Sequence, residues 1–97
     1  MKEIFDQSSY KISKLITNEY STSFSTGIYL FDSKTRPSIY AIYGFVRYAD
    51  EIVDTFNDYN QSELLTKFIQ DYEFALKEKI SLNPILNSFQ EVVNKFG

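Results

Sequence analysis

Apolar side chains return every three or four positions along most of this chain, the repeat of a helix rather than the alternation of a strand. A first helix is expected to start with Asp6 or Ser8 as its cap and to carry Ile12, Leu15, Ile16 and Glu19 or Tyr20. From Thr17 to Ser25, serines and threonines gather around Phe24; hydroxyls of this kind compete for backbone hydrogen bonds, so a weak helix or a break is expected. A short apolar segment, Thr26 to Phe31, follows. Asp32 or Ser33 then caps the longest predicted helix, which runs to about Phe56 with Pro37 in its first turn or just beyond. Its Ile39, Ile42, Val46, Ala49 and Val53 recur at intervals of 3, 4, 3 and 4 and form its expected apolar face. Asn57 to Ser62 reads as a loop, and Ser62 as the cap of a fourth helix to about Lys79. There Leu64, Leu65, Phe68, Ile69, Tyr72, Leu76 and Ile80 keep the helical period. Ser81 to Pro84 interrupt the pattern before a last helix carrying Ile85, Leu86, Phe89, Val92, Val93 and Phe96. The expected fold class is all-α, about five helices with short loops in one segment spanning 1–97.

Composition supports that reading and limits the chemistry. Glycine and proline are scarce, 3 and 2 residues, while 9 Phe and 8 Tyr within 43% hydrophobic content exclude disorder and imply a core rich in rings. The length supports a single domain that buries about 60 to 65% of its extended surface. With no Cys and no His, thiolate or imidazole zinc sites, Cys-His nucleophiles and Ser-His-Asp triads are excluded. Oxygen ligands remain, and these suit hard cations such as Mg²⁺ or Mn²⁺. A net charge of −3, with 10 basic and 13 acidic residues dispersed, gives neither a stripe for nucleic acid nor a polybasic tail, so no nucleic-acid partner is expected. No apolar run reaches the length of a spanning helix, and Met1 to Gln7 has no signal-peptide core. The expected location is cytoplasmic, with room for peripheral contact at the inner membrane face.

One row of side chains carries candidate chemistry. Tyr43, Arg47, Asp50 and Asp54 follow at intervals of four, three and four, which puts them within roughly 60° of one another on a helix. Two carboxylates with a guanidinium one turn before them suit a divalent cation and the diphosphate it holds. An Asp pair alone is weak evidence, since six Asp in this chain yield roughly 0.4 such pairs by composition. A solvated face, with Arg47 paired to Asp50 or Glu51, is the plain alternative. The row nevertheless borders Tyr40, Ile39, Ile42 and Val46, and charges beside a core or cavity need partners or ligands.

A longer motif set adds to this. Tyr20-Ser21-Thr22-Ser23-Phe24, then Arg36, then Ala41-Ile42-Tyr43-Gly44-Phe45-Val46-Arg47-Tyr48-Ala49-Asp50-Glu51-Ile52-Val53-Asp54 resembles the N-terminal part of the squalene/phytoene synthase family, the head-to-head prenyltransferases. Order and separation both match, and a looser likeness continues to Gly97. The resemblance implies the N-terminal helices of an isoprenoid synthase-type fold. It implies Asp50 and Asp54 as Mg²⁺ ligands with a catalytic role, and Arg47, Ser21 and Ser23 as ligands of the substrate diphosphate. It also implies Phe24 and Tyr43 as pocket residues beside a developing carbocation, Tyr43 counting among the catalytic set. Glu51, where many members have Asp, is not expected to be a ligand.

The implied reaction joins two C15 or C20 allylic prenyl diphosphates, and NADPH is needed only where the product is squalene. Family members are roughly three times as long, and their second aspartate-rich motif has no counterpart here. The expectation is therefore an N-terminal fragment, inactive alone, that exposes apolar surface and self-associates. Two other readings stay open: a non-catalytic member of the same fold serving assembly or interaction, and an unrelated helical binding module.

Overall fold

The computed structural model describes residues 1–96; Gly97, the last residue of the expected segment, lies outside the described residues. The order is α1 (Lys2–Tyr20), α2 (Thr22–Gly27), a 3₁₀ turn (Ile28–Leu30), α3 (Arg36–Asp54), α4 (Gln61–Glu78) and α5 (Pro84–Phe96). Among the described residues there is no strand, and the chain is all-α as the periodicity predicts.

Helix α5 is the hub. Ile85, Leu86, Asn87, Ser88, Gln90 and Val92 are all buried, which leaves little of its circumference free, because α1, α3 and α4 all pack on it. Ile52, Phe68, Ala75 and Leu86 make the apolar centre, with Phe45, Tyr48, Leu65 and Tyr72 around them. Phe45 stacks on Phe89 with centroids 3.9 Å apart and lies 5.3 Å from Tyr72. Such ring pairs add about 0.5–1.5 kcal/mol each beyond the area they bury.

Five expectations are corrected. Helix α1 starts at Lys2, not near Asp6 or Ser8, and Met1 caps it without a side-chain hydrogen bond. Asp6 instead accepts from Lys2 Nζ at 2.7 Å, the i, i+4 pair that steadies the first turns. The buried face of α1 is Ser9, Ser13 and Thr17 rather than the isoleucine face, and Leu15 is 56% exposed. Small side chains win here because the helices approach closely. A Cβ at Gly44 would lie 3.3 Å from both Ile85 Cδ1 and Ser13 Oγ. The buried hydroxyls are paired: Thr17 donates to Ser13 O at 2.8 Å, and Ser13 and Ser88 share a bond of 2.7 Å.

On α3 the buried residues are Tyr40, Ala41, Gly44 and Ile52, whereas Ile42, Val46 and Val53, half of the expected core face and more, are 44%, 48% and 58% exposed. Because α3 is apolar over most of its girth, packing chose between two helical stripes that the repeat alone could not separate. The helix ends at Asp54 rather than Phe56. At that end Gln61 Nε2 donates to Ile52 O and Val53 O at 3.0 and 2.9 Å, satisfying carbonyls that the helix leaves open. Finally Asn60, not Ser62, caps α4: its Oδ1 accepts from Glu63 N at 3.1 Å while its Nδ2 donates to Glu63 Oε2 at 3.3 Å.

Candidate functional site

The chain breaks between α1 and α2 at Ser21, whose extended backbone (φ −146°, ψ 103°) ends one helix and caps the next. Its Oγ accepts from Phe24 N at 3.0 Å, the usual work of a serine N-cap. The hydroxyl hydrogen remains free to donate elsewhere. Ser23, one residue into α2, is exposed and makes no side-chain hydrogen bond among the described residues. Ser21, Ser23, Phe24, Gly27, Ile28 and Phe31 line an open groove of about 490 Å³.

Phe24 reaches from that groove to α3. Its ring stacks on Tyr43, with centroids 4.7 Å apart and planes at 28°, so two residues nineteen positions apart present adjoining ring faces. The expected pocket pair is thus brought together. One turn along α3, Arg47 donates through Nη2 to Glu51 Oε1 at 2.9 Å, while its Cζ lies 5.3 Å from the Tyr20 ring centroid. Its Nε is buried and has no hydrogen-bond partner among the described residues. The pair with Glu51 occupies one of five guanidinium donors, so Arg47 is held on two sides and keeps donor capacity.

Tyr20 is a member of this constellation that the spacing of α3 does not reveal. It ends α1, covers Arg47 and neighbours Tyr48, whose phenol is pushed up by burial first and by Tyr20 second. The only sequence signal for it is the tyrosine immediately before the Ser21 break.

Asp50 and Asp54 sit on the exposed side of α3, separated by one turn, or about 6 Å of helix rise. Neither makes an ion pair within 4.0 Å among the described residues, and neither lines the groove beside Phe24. Among the described residues no group of three or more acidic, His or Cys side chains converges on a point. The donor set is therefore two carboxylates, both unencumbered, with the remaining positions of a hexacoordinate hard cation left to water or ligand oxygens. That fits Mg²⁺ held through one or two carboxylates, the manner in which Mg²⁺ is usually bound with phosphates. Exposed Ile42, Val46 and Val53 border the row on one side and buried Tyr40 and Gly44 on the other, so Arg47 meets the edge of the core while the two aspartates face outward.

No helix among the described residues is long and apolar enough to cross a membrane. A family model described as squalene/phytoene synthase matches residues 17–97, which takes in the Ser21 break, the groove, and all of α3, α4 and α5. Searches of curated proteins and of solved structures find no match.

Proposed function

The chain belongs to the squalene/phytoene synthase family, and we propose that it forms the half of a head-to-head prenyltransferase site that grips an allylic prenyl diphosphate. The observation that carries this is Arg47: a guanidinium with a buried, unpartnered Nε, braced by Tyr20 and Glu51, with two unpaired carboxylates one and two turns further along the same helix.

In this reading Asp50 and Asp54 hold Mg²⁺, which would neutralise the diphosphate as it departs. Arg47 binds the same group through the donors Glu51 leaves free, and its fixed geometry lowers the ordering cost of doing so. Ser21 and Ser23 donate hydroxyl hydrogens from the rim of the groove. The stacked Phe24 and Tyr43 rings supply negative π faces to a developing allylic cation and exclude water from it. The substrate is a C15 or C20 prenyl diphosphate, with NADPH required only for a squalene-type product. The Arg47–Glu51 pair is also what an ordinary charged face would form, so the experiment must separate the two.

Titration of the ¹⁵N-labelled chain with Mg²⁺ and a C15 or C20 prenyl thiodiphosphate should shift the amides around Ser23, Arg47, Asp50 and Asp54. Asp50→Asn should remove the Mg²⁺ dependence of that response. A spectrum unmoved at Arg47 and Asp50 would refute the reading.

A further inference from the structure

A second recess lies about 16 Å along α3 from Arg47, counted as helix rise from Arg36. It is an open recess bordered by α1, the 3₁₀ turn and the first turn of α3, holds about 260 Å³, and is lined by Tyr10, Lys11, Lys14, Tyr29, Arg36 and Tyr40 among others. Whole organic ligands usually occupy roughly 300–1,000 Å³, so this space suits a headgroup or small ion. Three of the chain's 10 basic residues converge there in a protein of net charge −3, and no carboxylate lines it.

Arg36 is built into position. Its Nε donates to Phe31 O at 3.0 Å and its Cζ lies 4.6 Å from the Tyr29 ring centroid, while its terminal nitrogens have no partner among the described residues. Nearby Asp32 does not claim it: the Thr35 hydroxyl and amide hold that carboxyl below its usual range, and Arg36 contributes least of the causes. Lys14 Nζ stands 5.8 Å from the Tyr40 ring centroid, over a residue only 5% exposed. Burial pushes the Tyr40 phenol up, and burial followed by Glu91 and Asp6 pushes Tyr10 up to about 12, so both remain protonated donors at neutral pH. The N-terminal end of α3 adds its positive dipole.

We propose that this recess is a binding site for a phosphate-type anion, held by Lys11, Lys14 and Arg36 and distinct from the Arg47 site. The phosphate can belong to a free ion or to a lipid headgroup. Tyr29, Leu30 and Phe31 beside the recess are 59%, 90% and 52% exposed, an apolar prow of the kind that enters a lipid interface next to basic residues.

The test uses the whole chain without Mg²⁺. Inorganic diphosphate is titrated and read by NMR at Tyr29, Arg36 and Tyr40; in parallel, co-sedimentation is measured with phosphatidylcholine vesicles with and without phosphatidic acid. Saturable shifts support a free-ion ligand, and binding only to the phosphatidic acid vesicles supports the headgroup. In either case Lys11→Gln/Lys14→Gln, at two exposed positions, should weaken binding about tenfold. Arg47→Gln should leave the response intact, which separates this site from the proposed prenyl diphosphate site. Blank results in both arms, an undiminished response in the double variant, or loss in Arg47→Gln would overturn the proposal.

Discussion

Asn87→Ala should be among the most damaging single changes in this chain. Asn87 is fully buried on α5, and its amide joins four partners. Nδ2 donates to Asp6 Oδ1 at 2.9 Å and Ser9 Oγ at 3.0 Å; Oδ1 accepts from Ser81 N and Gln90 Nε2, both at 3.2 Å. The losses differ in kind. Asp6 keeps Lys2, and Ser9 still donates to Phe5 O, so neither is stranded. The Ser81 amide and the Gln90 side-chain amide lose an acceptor inside the protein, at about 1–3 kcal/mol each. With the small cavity added, the expected cost is about 3–5 kcal/mol, a large part of the 5–15 kcal/mol that usually separates folded from unfolded domains. For a domain of this size the urea m-value is about 1–1.5 kcal/mol/M, so the midpoint should fall by about 2–5 M. Urea denaturation followed by circular dichroism reads this directly. A fall under about 0.5 M at unchanged m would show that the network does not hold α1 to α5.

Other outcomes follow from the same seam and from the site. Ser88→Ala strands the Ser13 hydroxyl and should cost about 1–3 kcal/mol, whereas Ser13→Ala/Ser88→Ala removes both partners and should recover most of it; additive losses in denaturation would contradict the pairing. Tyr10 has a raised folded-state pKa, so its contribution is complete below the unfolded value near 10 and is lost as pH climbs toward about 12. Stability should accordingly decline across that window more steeply in the wild type than in Tyr10→Phe, and parallel curves would remove Tyr10 as the cause. Gln61→Ala frees the Ile52 and Val53 carbonyls, so the last turn of α3 should fray, with amide exchange at Asp54 to Phe56 faster by about fivefold to tenfold and a global cost near 1 kcal/mol. Unchanged exchange there would mean that Asp54 is held by the helix alone.

Much of the candidate site's geometry was legible because it is local. The intervals between Tyr43, Arg47, Asp50 and Asp54 fix their common side of any helix that contains them, and the serines around Phe24 mark the break that exposes that ring. What brings Phe24 onto Tyr43 and Tyr20 over Arg47 is the folding back of α1 and α2 on α3, which no interval within one helix contains.

By itself, then, the sequence determined the helical class, the approximate extent of each helix and the chemistry available to α3, because each follows from contacts three or four residues apart. Tertiary structure alone decided which stripe of α3 is buried and why α1 buries hydroxyls. Those outcomes turn on volumes meeting across the chain: Ser13 against Ser88, and Ser13 and Ile85 against a glycine with no Cβ. An apolar stripe of Ile42, Val46 and Val53 would suit a core as well by its pattern, but only the stripe containing Gly44 lets three helices approach this closely, and close packing selects it.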